Sequence, residues 1–310
     1  MTRFFTSPYL LLILNMMFWS GNWIVGRAFR DDFSPLGLNF WRWVIALVLL
    51  LPFTWRQVWE SRAALLREWK AMLGLGLLGI ALFNMMLYTG LRSTTAVNGV
   101  LIHTSQPVVI VMLAWLLVGE RVNLRQALGI VVSLAGVLII ISRGDPATLL
   151  GVQFNKGDLW MLAAVPIWGV YTILLRRKPK DLPPLALLTV MFFIGVVILL
   201  GPYVWAELYV RPQVTLHWAS LGGLIYVASL SSVVGLVFYN MGVSALGPNV
   251  AGLFLHLVPV FTTALAWIFL GETLQLYHLP GVLLIFTGIT LTTKGGPRIQ
   301  QAGAQGDPAA

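Results

Sequence analysis

The chain contains no cysteine. That excludes disulfides, thiolate nucleophiles and cysteine-ligated metals, and it leaves the redox compartment unread, since a cysteine-free chain suits either side of a membrane. Charge is scarce as well. Only 10% of the residues are charged, against about 25% in a soluble domain, so most of the surface faces something other than water. Carboxylates are scarcest, eleven in 310 residues, and each falls in a loop or at the end of an apolar run. No acid therefore sits at mid-run to serve as a buried proton relay. Catalytic constellations are missing too. No His-x-x-x-His pair occurs, and Ser105, two residues from His103, lies on the wrong helical face for a dyad. Without a nucleophile–base pair, paired acids or a metal cluster, the expectation is a non-enzymatic protein with no cofactor and no metal.

What the chain has is apolar length: 58% of its residues are hydrophobic. A helix rises about 1.5 Å per residue, so some 20 apolar residues cross a hydrocarbon core of about 30 Å. Ten such runs are present: Pro8–Ala28, Pro35–Trp55, Trp69–Leu91, Thr94–Val118, Leu124–Ser142, Leu159–Leu175, Pro184–Trp205, Trp218–Met241, Pro248–Leu270 and Leu276–Thr293. The first is long, holds Asn15, Trp19, Asn22 and Trp23, and lacks a small-x-small cleavage site, so it is expected to be a retained span and not a signal peptide. Short connections predict a compact bundle. The tail, residues 295–310, is rich in Gly, Pro, Ala and Gln and is expected to be disordered.

The formal charge of +9 comes from cations scattered in short segments between the runs, a pattern of topology signals and not of nucleic-acid binding. Ten spans put both termini on one side. Arg3, Arg56, Arg62, Arg67, Lys70, Arg121, Arg125, Arg176, Arg177, Lys178, Lys180, Lys294 and Arg298 fall on that side, and only Arg27, Arg30, Arg92, Arg143, Lys156 and Arg211 on the other. The positive-inside rule then predicts cytoplasmic termini.

The runs are duplicated. Gly90, Leu101, Pro107, Val108, Leu113, Ala114, Trp115, Gly119, Glu120, Leu124, Gly129 and Gly136 recur 152 residues later, from Gly242, Leu253, Pro259 and Val260 through Trp267, Gly271, Glu272 and Leu276 to Gly281 and Gly288. Trp19 likewise matches Trp168 at an offset of 149. Each copy holds five spans, an odd number, so the second enters the membrane from the opposite face. The expected domains are residues 1–145 and 146–294, two inverted five-helix repeats in an all-α polytopic membrane protein, the pattern of a transporter.

Two five-helix halves, each with a Trp near its first span and a Pro before a terminal Gly-Glu, resemble the EamA family of the drug/metabolite transporter superfamily. Pro107 to Gly119-Glu120, Pro259 to Gly271-Glu272 and the opening Phe18-Trp19-Ser20-Gly21-Asn22-Trp23 carry the likeness, which spans about Pro8 to Thr293. Within the family the chain looks most like the bacterial YddG-type branch of aromatic amino acid exporters. The resemblance implies a basket of ten helices around a central cavity, export of small amphipathic metabolites by alternating access, and a place in the bacterial inner membrane. The partners expected are a small-molecule substrate and the lipid bilayer, the chain being a monomer or weak homodimer.

Lipid offers nothing to polar groups, so intramembrane polar residues mark helix contacts or the pathway. Asn15, Trp19 and Asn22 share a face of the first span. Thr95, Gly99, His103 and Gln106 form a stripe in the fourth, and Asn249, Gly252, His256 and Thr263 one in the ninth. The substrate-binding candidates are Trp19, Asn22, Asn84, Tyr88, Asn98, His103, Trp168, Tyr171, Tyr239 and His256. Each has a plainer alternative. Asn and Ser glue helices together, His103 and His256 can hydrogen-bond a neighbouring helix, and tryptophans such as Trp41, Trp43, Trp55, Trp59 and Trp69 suit the interfacial belt. With no acid at mid-span, transport would be uncoupled or coupled through histidine. Arg42, the one cation away from the ends of a run, either snorkels or pairs with a helix C-terminus, or it anchors an anion. Pro107 and Pro259 predict matching kinks, read either as paired gates or as fixed bends that shape the cavity. Glu120 and Glu272 read as caps of the following helices. Gly129, Gly136, Gly281 and Gly288 read as close helix contacts, within a half or between protomers.

The orientation has a direct test. A single cysteine introduced near Lys294 should stay unlabelled when intact cells meet an impermeant thiol reagent, and should label once the membrane is opened. Labelling from outside reverses the topology.

Overall fold

The computed structural model describes residues 7–94, 96–151, 153–176, 182–210, 214–270 and 275–294. Thr95, the Gly271-Glu272 pair and the tail from residue 295 lie outside them. Nine helices among the described residues are long and apolar enough to cross a membrane: α1 Pro8–Gly26, α2 Pro35–Glu60, α3 Trp69–Leu91, α4 Asn98–Val118, α5 Leu124–Ile141, α6 Lys156–Arg176, α7 Pro184–Tyr209, α8 Trp218–Leu246 and α9 Pro248–Leu265. A tenth apolar helix, α10 His278–Thr293, is shorter. The run predicted from Leu276 loses its first two residues to a turn, in which Gln275 N–H donates to His278 Nδ1 at 2.9 Å. The only strand-like pairing among the described residues is an isolated bridge, Phe33 with Val214.

The helix starts follow sequence punctuation. Ser34 Oγ accepts from Gly37 N–H at 2.8 Å, with Pro35 in the first turn of α2. Pro184 and Pro248 open α7 and α9, where a missing N–H costs nothing. Glu120, expected to cap α5, does not; Asn123 and Gln126 form the reciprocal capping box there, because Asn123 stands immediately before the first turn. Glu120 instead pairs with Arg176 at 2.5 Å, tying the end of α4 to the end of α6. Gly119 takes the left-handed conformation that closes α4, φ 67°, the reason for a glycine in that Gly-Glu pair.

Four spans are irregular in matched pairs. α4 breaks at Ser105, between the helices Ala96–Thr104 and Gln106–Val118. α9 passes through a 3₁₀ turn at Phe254–His256. The predicted proline kink is thus a break. Pro107 is the second residue of a fresh helix, where its lost donor had no partner to lose. α3 and α8 carry π-helical turns at Gly76–Leu82 and Val227–Val234. Such turns gather at functional sites, and nothing in the apolar pattern announces them.

Packing pairs the helices: α5 with α10, α2 with α7, α1 with α8 and α9, and α6 with α3 and α4. α5 and α10 approach closest. A Cβ at Gly136 would lie 2.5 Å from the carbonyl oxygen of Gly281, and one at Gly288 would collide with the carbonyl of Gly129. These glycines meet across the two sequence copies, which corrects the expectation of contact within a half or between protomers. Large apolar side chains such as Phe53, Leu116, Val131, Phe193 and Phe286 face outward, the surface a bilayer covers.

Gly136→Ala should destabilise the protein by about 1–3 kcal/mol, as overpacking does. Gly201→Ala in α7, whose added Cβ would meet nothing within 4 Å, should be neutral or mildly stabilising. Thermal unfolding of the two variants in one detergent compares them.

Candidate functional site

One cavity lies where α1, α2, α3, α4, α6, α8 and α9 converge. It holds about 470 Å³ free of atoms, counting the part open to solvent, and is lined by Trp19, Asn22, Trp23, Arg42, Trp43, Gly79, Phe83, Asn84, Leu87, His103, Gln106, Trp168, Ser231, Leu236 and Leu255. Five of the ten predicted binding residues line it: Trp19, Asn22, Asn84, His103 and Trp168.

The aromatic wall is continuous. Trp19 meets Trp168 edge-on, centroids 5.1 Å apart, and Phe83 lies 4.6 Å from Trp168. Such offset contacts are worth about 0.5–1.5 kcal/mol each beyond burial. Tyr239 and Tyr171 stand behind Trp168 and are fully buried. Trp168 Nε1 donates to Tyr239 Oη at 3.2 Å, and Tyr171 Oη donates to Asn240 Oδ1 at 3.1 Å. These two tyrosines back the wall without lining the cavity.

The polar side is built on Arg42. Its Nε donates to Ser232 Oγ at 2.9 Å, and its Nη1 donates to Asn84 Oδ1 at 2.9 Å and to Tyr88 Oη at 2.5 Å. Tyr88 Oη in turn donates to Asn22 Oδ1 at 2.7 Å. Arg42 is 3% exposed, so it does not snorkel, and among the described residues its hydrogen bonds go to side chains and not to a helix C-terminus. It lies in the second turn of α2, on the face that packs inward. Trp43, expected in the interfacial belt, is 1% exposed. Its Nε1 donates to Asn39 Oδ1 at 2.8 Å, and its ring stacks under the Arg42 guanidinium at 4.5 Å. The i, i+3, i+4 spacing of Asn39, Arg42 and Trp43 was the signal for this buried polar face. Trp41, Trp55, Trp59 and Trp69 do sit at the surface.

The π turns supply acceptors around the cavity. Asn84 Nδ2 donates to the Gly79 carbonyl at 3.2 Å, Asn39 Nδ2 to Ala81 at 3.0 Å, Trp19 Nε1 to Ser231 at 3.0 Å, and Ser232 Oγ to Val227 at 2.7 Å. Three lining residues keep a buried polar atom without a partner among the described residues: His103 Nδ1, Gln106 Oε1 and, within the second π turn, Ser231 Oγ.

His256 and Asn98 lie away from the cavity, whereas His103 is part of it. His103 packs edge-on against Trp23 at 5.0 Å in the cavity wall. His256 is held between helices, with Ser133 Oγ at 2.7 Å from its Nδ1 and the Thr104 carbonyl at 3.0 Å from its Nε2. Asn98 Nδ2 donates to Asp158 Oδ2 at 2.7 Å and to the Gln153 carbonyl at 2.8 Å. Asp158 also accepts from Thr94 and from Asn155 N–H, so this buried acid pins the start of α6. Pro107 and Pro259 follow the breaks of α4 and α9.

Comparison with known proteins gives consistent findings. The profile of the EamA-like transporter family matches residues 6–142 and again residues 155–294. The uncharacterized transporter YyaM of Bacillus subtilis (strain 168) is 28% identical over 94% of each chain. An uncharacterized transporter of Archaeoglobus fulgidus is 28% identical over 93% of this chain and 98% of its own. A solved crystal structure superposes with a TM-score of 0.74 at 18% identity, covering 95% of this chain and 99% of the other, a likeness of fold alone.

Tyr88→Phe removes the oxygen that links Arg42 to Asn22 and leaves a buried donor and a buried acceptor short of one partner each. A loss of about 1–3 kcal/mol in unfolding free energy is expected, measured against Tyr209→Phe, an exposed tyrosine that should be silent.

Proposed function

The chain belongs to the EamA-like transporter family, and we propose that it exports small amphipathic metabolites, aromatic amino acids first among them, by alternating access. That it is a multi-pass membrane protein of a transporter family follows from the double match to the family profile, and the similar proteins bear transporter names. The choice of cargo rests on the cavity. A continuous face of Trp19, Trp168 and Phe83 suits a ring, and the polar floor around Arg42, Asn22 and Asn84 suits a charged head group.

In this reading the two sequence copies are inverted five-helix halves, residues 1–145 and 146–294, in a bacterial cytoplasmic membrane with both termini inside. α10 is the tenth span. Contacts between repeat mates support the arrangement. Trp19 touches Trp168, and His256 touches Thr104, each residue meeting its own counterpart. Gly129 meets Gly288 while Gly136 meets Gly281, the crossed pattern of a two-fold axis. The paired breaks before Pro107 and Pro259 are the hinges, each opening the cavity toward one face. The Glu120–Arg176 pair at one end, and the Asp32–His217 pair at 3.1 Å at the other, join the copies where a gate must part.

Purified protein in liposomes preloaded with unlabelled phenylalanine should accumulate labelled phenylalanine or tryptophan by counterflow. Trp168→Ala should weaken half-saturation by about tenfold, the scale of one lost aromatic contact. Counterflow of nucleosides or sugars, with none of aromatic amino acids, rejects the cargo and keeps the transporter.

A further inference from the structure

Arg42 is a cation without a counter-ion. Of its five N–H groups, one on Nε and two on Nη1 donate to Ser232, Asn84 and Tyr88. The two on Nη2 meet no acceptor among the described residues, and no Asp or Glu of those residues lies within 4.0 Å. Neutral oxygens satisfy the direction of a guanidinium's hydrogen bonds but not its charge. The rings of Trp43 and Tyr88, 4.5 and 5.8 Å away, soften that charge without cancelling it. A cation this far inside a bundle is normally paired. Here the protein sets it in the cavity wall, since Arg42 is itself a lining residue and no lining residue is acidic.

We infer that Arg42 seats the carboxylate of the transported molecule, and that the cargo class is therefore an amphipathic monocarboxylate. One guanidinium neutralises one negative charge. A phosphate dianion would leave an excess in a low-dielectric site, and a cationic amine would meet repulsion. The planar fork of an arginine also matches a carboxylate better than a spherical anion. Neighbouring acceptors, Gln106 Oε1 and Ser231 Oγ, both buried and unpartnered, could receive an ammonium group in addition, so a zwitterion remains within the class. The purely structural role, a three-helix clamp of α2, α3 and α8, accounts for Nε and Nη1 but leaves Nη2 and the charge without a purpose. The inference rests on the transport reading and narrows it to a chemistry.

Calorimetric titration of the detergent-solubilised full chain with 3-phenylpropionate, its neutral isostere 3-phenylpropanamide, and L-phenylalanine tests it. The wild-type protein should bind 3-phenylpropionate about thirtyfold or more tighter than the amide, the scale of a lost buried charge contact. Arg42→Gln should erase that preference, and Arg42→Lys should restore part of it. The wild-type comparison needs no variant, so a poorly folding Arg42→Gln does not blunt the test. Equal binding of acid and amide overturns the assignment even where phenylalanine counterflow succeeds. Binding of 3-phenylpropionate without phenylalanine keeps Arg42 and rejects the amino acid cargo. Failure of both acids to bind overturns the carboxylate seat.

Discussion

Where a side chain or backbone amide faces hydrocarbon it has no water to bond, so every polar group in this bundle must find its partner inside the protein. Apolar burial contributes little to helix association in lipid, because acyl chains are as apolar as leucine. The helices are held by close fit and by hydrogen bonds, and each predominates in a different place. α5 and α10 fit glycine to glycine at the periphery. The centre is held by bonds: Arg42 to α3 and α8, Tyr88 to α1, and Trp19 to the π turn of α8. The rigid seam and the bonded core divide the work of keeping shape and of leaving room for a cargo.

Much of this was legible in the residues. Apolar length located the helices, Pro and Ser marked their starts, and the duplicated Pro located matching breaks. Trp19, Asn22 and His103 were readable as cavity residues because a polar stripe on an apolar helix has few other uses. The rest was hidden for identifiable reasons. Trp43 and Arg42 look like interfacial residues when judged by distance from the helix end. What decides their place is which face of α2 packs inward, and only Asn39 hinted at that. The π turns have no pattern of their own. They shift the register of α3 and α8, so stripes drawn at ordinary helical spacing misplace residues beyond them. Asp158 was read as one acid at a helix end, yet it is a buried anchor for three donors, Thr94, Asn98 and the Asn155 N–H.

The irregular backbone and the cavity belong together. A regular helix commits its carbonyls to its own ladder and offers only their second lone pair, here mostly to nearby Ser and Thr hydroxyls. The π turns at Gly76–Leu82 and Val227–Val234 lend theirs to Asn84, Asn39, Trp19 and Ser232. Two of these loans fix the lining side chains Asn84 and Trp19, and two fix Ser232 and Asn39, which hold the lining Arg42 and Trp43, so the departure from regular geometry helps orient the lining. Non-helical backbone is tolerated at membrane depth only where protein or a polar cavity receives it, and both do here.

The meeting of matched residues carries a consequence for how such a chain can diverge. A newly duplicated chain has identical halves, so any position on the axis confronts a side chain with a copy of itself and must be self-complementary. Two tryptophans manage this by turning edge to face, as Trp19 and Trp168 do at 81°. Two donors or two like charges could not. Thr104 and His256 meet as backbone carbonyl and ring nitrogen, and the two side chains themselves already differ. In the inverted-repeat reading proposed above, axis positions are where a duplicated gene is first forced to become two different sequences, and the single, unmirrored Arg42 belongs to the asymmetry that this divergence allows.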